Sequence, residues 1–126
     1  MVVVGDETFR SGLVGNLRDD GHSVIEHHSA VTVPRPEALG AIDAVLIDYQ
    51  HPGDDWLRLA RRFHRIRPRV PVILATAQWS PVVERIARCI GPVVRKPIAY
   101  DDLHELLHCL ARHAKPQPRA RTNLPV

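Results

Sequence analysis

Asp48 ends the apolar run Ala44-Val45-Leu46-Ile47, and Pro52-Gly53 follows four residues later. A carboxylate at the carboxyl end of a buried strand, followed by a tight loop, is where open α/β sheets bind ligands and do chemistry. Three other features fall at or just past the ends of further apolar runs: the acidic pair Asp6-Glu7, the Thr76 hydroxyl and the Lys96 ammonium. From Asp6 through Asp48 and Thr76 to Lys96 the successive intervals are 42, 28 and 20 residues. On one rim of a parallel sheet these groups would meet. Clustered carboxylates repel unless a cation joins them, and a few such oxygens with waters and a phosphoryl group suit Mg²⁺. An ionised aspartate is also a nucleophile towards phosphorus. Phosphoryl transfer then needs charge stabilisation more than acid–base work, which a lysine, a hydroxyl and a divalent cation can supply.

The elements that would position these groups follow from periodicity. Strand candidates are Val2–Val4, Ser23–Ile25, Ala44–Ile47, Val70–Ala75 and Pro92–Val94. Phe9, Leu13 and Leu17 lie at helical spacing and make one stripe of a first helix, which Gly12 and Gly15 weaken. Val31–Leu39, carrying Pro34 and Pro36, allows only a short second helix. Trp56, Leu59, Ala60 and Phe63 give a third, with Asp54 or Asp55 near its start and Pro68 ending it. Ser80-Pro81 reads as an N-cap and first helical position of a fourth helix running to about Cys89, stopped by Gly91-Pro92. A fifth starts near Asp101-Asp102 with Leu103, Leu106, Leu107 and Leu110 facing the core. Five strands alternating with five helices imply a mostly parallel sheet covered on both faces.

The chain of 126 residues suits one domain, and 44% hydrophobic with 25% charged residues fits an ordinary soluble protein. No apolar run approaches the ~20 residues of a membrane span, and the N-terminus lacks the pattern of a signal peptide. Cys89 and Cys109 show no metal-type spacing and read as reduced thiols of a cytoplasmic protein. The net charge of +3 resides in residues 114–126, where Lys115, Arg119 and Arg121 stand without an acid. Residues 1–113 therefore balance 14 basic against 14 acidic side chains. A neutral body with a short basic tail argues against direct nucleic-acid binding. The domain is expected over 1–113, with 114–126 a flexible tail or the start of a linker.

The motifs Val45-Leu46-Ile47-Asp48 with Pro52-Gly53, Val72-Ile73-Leu74-Ala75-Thr76-Ala77 and Arg95-Lys96-Pro97, in this order, resemble the receiver domain of two-component response regulators. Phe9-Arg10-Ser11-Gly12-Leu13 resembles the first helix of many receivers. The resemblance covers about residues 2–112. It implies a flavodoxin-like (βα)5 fold with strand order 2-1-3-4-5, and a phosphoacceptor signalling domain rather than a turnover enzyme. Asp48 would accept the phosphoryl group from a histidine kinase or phosphotransfer protein. Asp6, Glu7, Asp48 and the backbone carbonyl of Gln50 would hold Mg²⁺. Thr76 would hydrogen-bond the phosphoryl group, Lys96 would pair with it, and the Lys96-Pro97 bond would be cis. Output would pass to a downstream protein or an effector domain of the same polypeptide, with a homodimer as a further option.

Departures from the receiver pattern leave an alternative open. Gly5 falls where a first acid is usual, the segment between Thr76 and Lys96 is about two residues short, and Val93 stands where an aromatic switch residue is expected. These features suit a pseudo-receiver that binds or dimerises without phosphorylation. A metal-dependent phosphohydrolase of similar fold is a second rival, opposed by the lack of a glycine-rich phosphate loop. His104 and His108 share one helix face at a spacing that can bind zinc, but His113 lies roughly opposite His104 and no nearby acid completes a site, so they read as a solvated flank.

Overall fold

Val45-Leu46-Ile47 and Val72-Ile73-Leu74-Ala75 are apolar at every position, the pattern of parallel strands covered on both faces. The computed structural model describes residues 1–49 and 54–113 and places these runs at the centre of one sheet. Its strands are β1 (Val2–Val3), β2 (Glu26–His27), β3 (Val45–Tyr49), β4 (Val72–Thr76) and β5 (Val93–Arg95). All neighbours are parallel, in the order β2-β1-β3-β4-β5. This is the expected flavodoxin-like order. Among the described residues three α-helices connect strands, α1 (Glu7–Asp19), α2 (Asp54–Ile66) and α3 (Pro81–Cys89), and α4 (Tyr100–His113) follows β5.

Strand alternation sorts the apolar side chains into two cores. Val3, Val45, Ile47, Val72 and Leu74 pack with Leu59, Ala60 and Phe63 of α2 and Ile86 of α3. Val2, Val4, Leu46 and Ile73 pack with Leu13, Val14 and Leu17 of α1 and Leu103 of α4. Phe63 and Leu103 are essentially inaccessible and anchor the two layers. Leu106, Leu107 and Leu110 continue the α4 stripe as partly buried residues.

Local chemistry sets the helix ends. The Ser80 hydroxyl accepts the Val83 N–H at 3.2 Å with Pro81 at the first helical position, as the sequence predicts. At the end of α1, Gly21 adopts φ 91°. Its N–H donates to Arg18 O and that of His22 to Leu17 O, each at 3.0 Å. This paired closure satisfies two last-turn carbonyls.

Two expectations need correction. The short helix expected within Val31–Leu39 is instead two 3₁₀ turns, Ala30–Thr32 and Pro36–Ala38. Proline lacks an N–H and disfavours helix in the residue before it, so Pro34 and Pro36 break the segment. The Arg67 guanidinium ties this irregular stretch to the end of α2, donating to the carbonyls of Pro36, Leu39 and Gly40 at 2.9–3.1 Å. The second strand was expected at Ser23–Ile25 but forms at Glu26–His27, with Ile25 about half exposed. Its ladder is set by Val2 N–H to Ile25 O at 2.8 Å and Val4 N–H to His27 O at 3.0 Å. At this sheet edge, backbone pairing decides the register rather than side-chain burial.

The described length between β4 and β5 is short, and Gly91 explains how it closes. A Cβ at Gly91 would stand 2.1 Å from the Val72 carbonyl oxygen. Only glycine lets the chain leaving α3 pass so close to β4.

Candidate functional site

Register brings the chemistry-bearing residues to one rim. Asp48 pairs with Ala75, Tyr49 with Thr76, and Thr76 with Arg95, so three strand ends meet side by side. Lys96 follows directly, its N–H donating to Thr76 O at 2.7 Å, and the Lys96-Pro97 bond is cis.

The Asp48 side chain is fully buried, and its Oδ1 forms an ion pair with Lys96 Nζ. Lys96 is itself only 21% exposed in its side chain. On its other side the ammonium lies 5.0 Å from the ring centroid of Phe9, within the range of a cation–π attraction. The lysine is thus held between a carboxylate and an aromatic face. Thr76 is 1% exposed. Its hydroxyl donates to Gln78 O at 2.9 Å and accepts the Gln78 N–H at 3.2 Å, closing the turn after β4.

The acidic pair after β1 divides its roles. Asp6 is the N-cap of α1, its Oδ1 accepting the Phe9 N–H at 2.8 Å, and Glu7 is the exposed first residue of that helix. Arg10, one turn on, donates to Val4 O at 2.8 Å and pairs with Glu26, tying α1 to the end of β1. Gln50, His51 and the Pro52-Gly53 turn lie outside the described residues. Among the described residues no three His, Cys, Asp or Glu side chains stand together in metal-holding geometry. Asp48 and Lys96 are therefore in contact, Thr76 ends the adjacent strand, and Asp6 and Glu7 stand at the start of α1 past the end of β1.

The donor set still suits a hard cation. Mg²⁺ is commonly held by one or two carboxylates, with waters and phosphoryl oxygens completing its shell. Asp6 and Asp48 supply carboxylates of this kind, and the Asp6 cap uses one of its two oxygens.

Phe9 and Arg10 are the two contributors that sequence reasoning did not assign to the site. Phe9 was legible in the apolar stripe with Leu13 and Leu17 and, with Arg10, in the segment resembling a receiver's first helix, but neither carried a site role. Val93, where an aromatic was expected, is half-buried and packs on the α2–α3 core. Trp56 also packs there, whereas Trp79 is 48% exposed beside the turn that Thr76 closes.

Burial lowers the pKa of the Met1 ammonium, which donates to Ala44 O at 2.9 Å, against a raising influence from Asp43. Burial, with the nearby positive charges of His28 and the N-terminus, lowers that of His27. Desolvation, a hydrogen bond to Asp20 and the charges of Asp20, Asp19 and Asp101 push the Tyr100 phenol up to about 12.

No protein-family model matches the chain. Curated relatives do. The transcriptional regulatory protein TcrA of Mycobacterium tuberculosis is 32% identical over 130 residues, covering 97% of this chain and 49% of that protein. The response regulator MprA of Mycobacterium bovis is 29% identical over 125 residues, covering 97% of this chain and 54% of its own length. The chain thus spans about half the length of the curated relatives it matches. Among solved structures, a CheY-like receiver domain from Methanospirillum hungatei superposes with a TM-score of 0.75 at 20% identity, over 88% of this chain and 91% of that one. The FixJ-N structure gives 0.74 at 18% identity, over 92% and 94%.

Proposed function

We propose that the chain is a receiver domain of the response-regulator type, a reading its fold and its similarity to TcrA and MprA support, and that it accepts a phosphoryl group on Asp48. The observation that carries this reading is the buried Asp48 carboxylate paired with Lys96 at the strand rim. Burial of a carboxylate is costly unless a cation meets it. The fold keeps a lysine there that can follow the charge from the carboxylate to a phosphoryl group.

In the proposed reaction an Asp48 carboxylate oxygen attacks the phosphorus of a phosphohistidine on a histidine kinase or phosphotransfer protein. The O–P bond forms as the P–N bond breaks, and the leaving imidazole takes up a proton. Lys96 pairs with the transferred group, and Phe9 limits where its ammonium can swing. The Thr76 hydroxyl exchanges its bond to Gln78 O for one to a phosphoryl oxygen. Asp6 and Asp48, with Glu7 adjacent and the Gln50 carbonyl, would hold Mg²⁺, which neutralises charge building on the transferred group. Water later attacks the acyl phosphate slowly, so the domain times a signal rather than turning over a substrate. Rearrangement at Thr76 and Lys96 biases a two-state equilibrium in α3, β5 and α4. The output is contact with a downstream protein or with an effector domain beyond the basic 114–126 segment.

Incubation with acetyl phosphate and Mg²⁺ tests this. The wild type should gain about 80 Da, one phosphoryl group on a carboxylate nucleophile. Asp48→Asn and EDTA-treated protein should not. A pseudo-receiver, for which Asp6 serves only as a helix cap, gives no adduct under any of these conditions. Repeated turnover of a generic phosphate ester would instead indicate a hydrolase.

A further inference from the structure

The fold brings a carboxylate from outside α4 to His104. Asp20, at the end of α1, places Oδ2 3.4 Å from His104 Nδ1. The Gly21 turn that closes α1 fixes the backbone of His22 beside it, through the bond from His22 N–H to Leu17 O. The His104 ring centre is 4.5 Å from that of His108 and 6.3 Å from that of His22. Three imidazoles and one carboxylate, from two helices and a turn, therefore share one patch. His22 and His108 are exposed and His104 is half-buried. Thirteen residues of α1 separate Asp6 from Asp20, about 20 Å of helix, so the patch is remote from the Asp48 rim.

We propose that His22, His104 and His108 form a binding site for a divalent transition-metal ion, Zn²⁺ or Ni²⁺, with Asp20 orienting His104 from behind. Zinc–nitrogen bonds of 2.0–2.1 Å place a ligand ring centre about 3.2 Å from the metal, so two rings in a tetrahedral site lie about 5.2 Å apart. The two observed separations bracket that value. A histidine ligand usually turns its second ring nitrogen to a carboxylate, which fixes the tautomer and the ring plane. Asp20 Oδ2 lies 3.4 Å from Nδ1 of His104 without a hydrogen bond between them; tightening of that contact would fix the ring and leave Nε2 to take the metal. The Tyr100 hydroxyl donates to Asn16 O at 3.2 Å one turn before Asp20, and its ring lies 6.2 Å from that of His104. The donor atoms do not converge as they stand. Closure would require the rings to rotate towards one another. A water or a partner's side chain takes the fourth position, as in open three-histidine sites. Imidazole nitrogen selects Zn²⁺, Ni²⁺ or Cu²⁺ over Mg²⁺, so this site and the Asp48 rim would not compete for one ion. Once filled it clips α1 to α4.

Calorimetric titration of the whole chain with ZnCl₂ and with NiCl₂ tests the site. One ion should bind per chain and raise the melting temperature. His104→Ala or His108→Ala should weaken binding at least about tenfold, and Asp20→Asn by about 10–100-fold, the usual effect of losing an orienting partner. His64→Ala, on α2, should bind as the wild type does. Co²⁺ substitution should give ligand-field bands without a thiolate charge-transfer band. Equal affinity in the wild type and His104→Ala, or a thiolate band implicating Cys109, would overturn the assignment. So would loss of only the melting shift while binding is unchanged. Phosphorylation of Asp48 plays no part in this test, so either proposal can fail alone.

Discussion

Replacing Lys96 by methionine would remove the cation beside Asp48 and keep most of the stem that lies under Phe9. The Asp48 side chain is fully buried and the Lys96 side chain 21% exposed, so water would replace the lost charge poorly. Removing one partner of a buried pair costs about 3–5 kcal/mol. Lys96→Met should therefore lose about 3 kcal/mol at pH 7. Urea unfolding reads this as a midpoint shift of roughly 1–3 M. Adding Asp48→Asn to Lys96→Met should recover most of the loss, because the amide carries no charge to strand. A loss under about 1 kcal/mol, or no recovery in the double variant, would refute the reasoning.

Other perturbations follow from the same contacts. Gly91→Ala would place a methyl group 2.1 Å from the Val72 carbonyl oxygen, and the backbone must move, so a loss of about 1–3 kcal/mol or more is expected in urea unfolding. Ser80→Ala removes the α3 cap and should cost about 1 kcal/mol, rescued by Ser80→Asp. The Tyr100 phenol is raised to about 12 in the folded chain, above the ~10 of an unfolded tyrosine. Its stabilising contribution is complete below pH 10 and is lost as pH rises towards 12. Melting temperatures should therefore fall more steeply over that range in the wild type than in Tyr100→Phe, and equal slopes would contradict the assignment.

The central architecture was legible in the sequence because its signals are strong and local. Ser80-Pro81 states a cap and a first turn, and the apolar runs ending at Asp48 and Thr76 state two buried strands. The second strand and the segment after it were misread because neither carries a burial pattern. β2 is an edge strand of two residues whose place is fixed by ladder bonds to β1. The stretch around Pro34 and Pro36 is held by Arg67, 27–31 residues further along the chain, and no local window contains that information. The same limit applies to the sites. Asp48, Thr76 and Lys96 could be named from strand ends, but Phe9 over Lys96 and Asp20 beside His104 are tertiary contacts between residues far apart in sequence. Gly91 shows the converse. Its sequence signal was only that of a helix stop, whereas its structural role is a close approach to β4.

The most direct test of the account is to locate the phosphoryl group. Wild-type protein treated with acetyl phosphate and Mg²⁺ would be reduced with borohydride, which converts an aspartyl phosphate to homoserine, and then mapped by peptide mass spectrometry. The account predicts homoserine at position 48 alone, lost without Mg²⁺. An unmodified Asp48 in the presence of bound Mg²⁺, or homoserine at Asp6 instead, would contradict it.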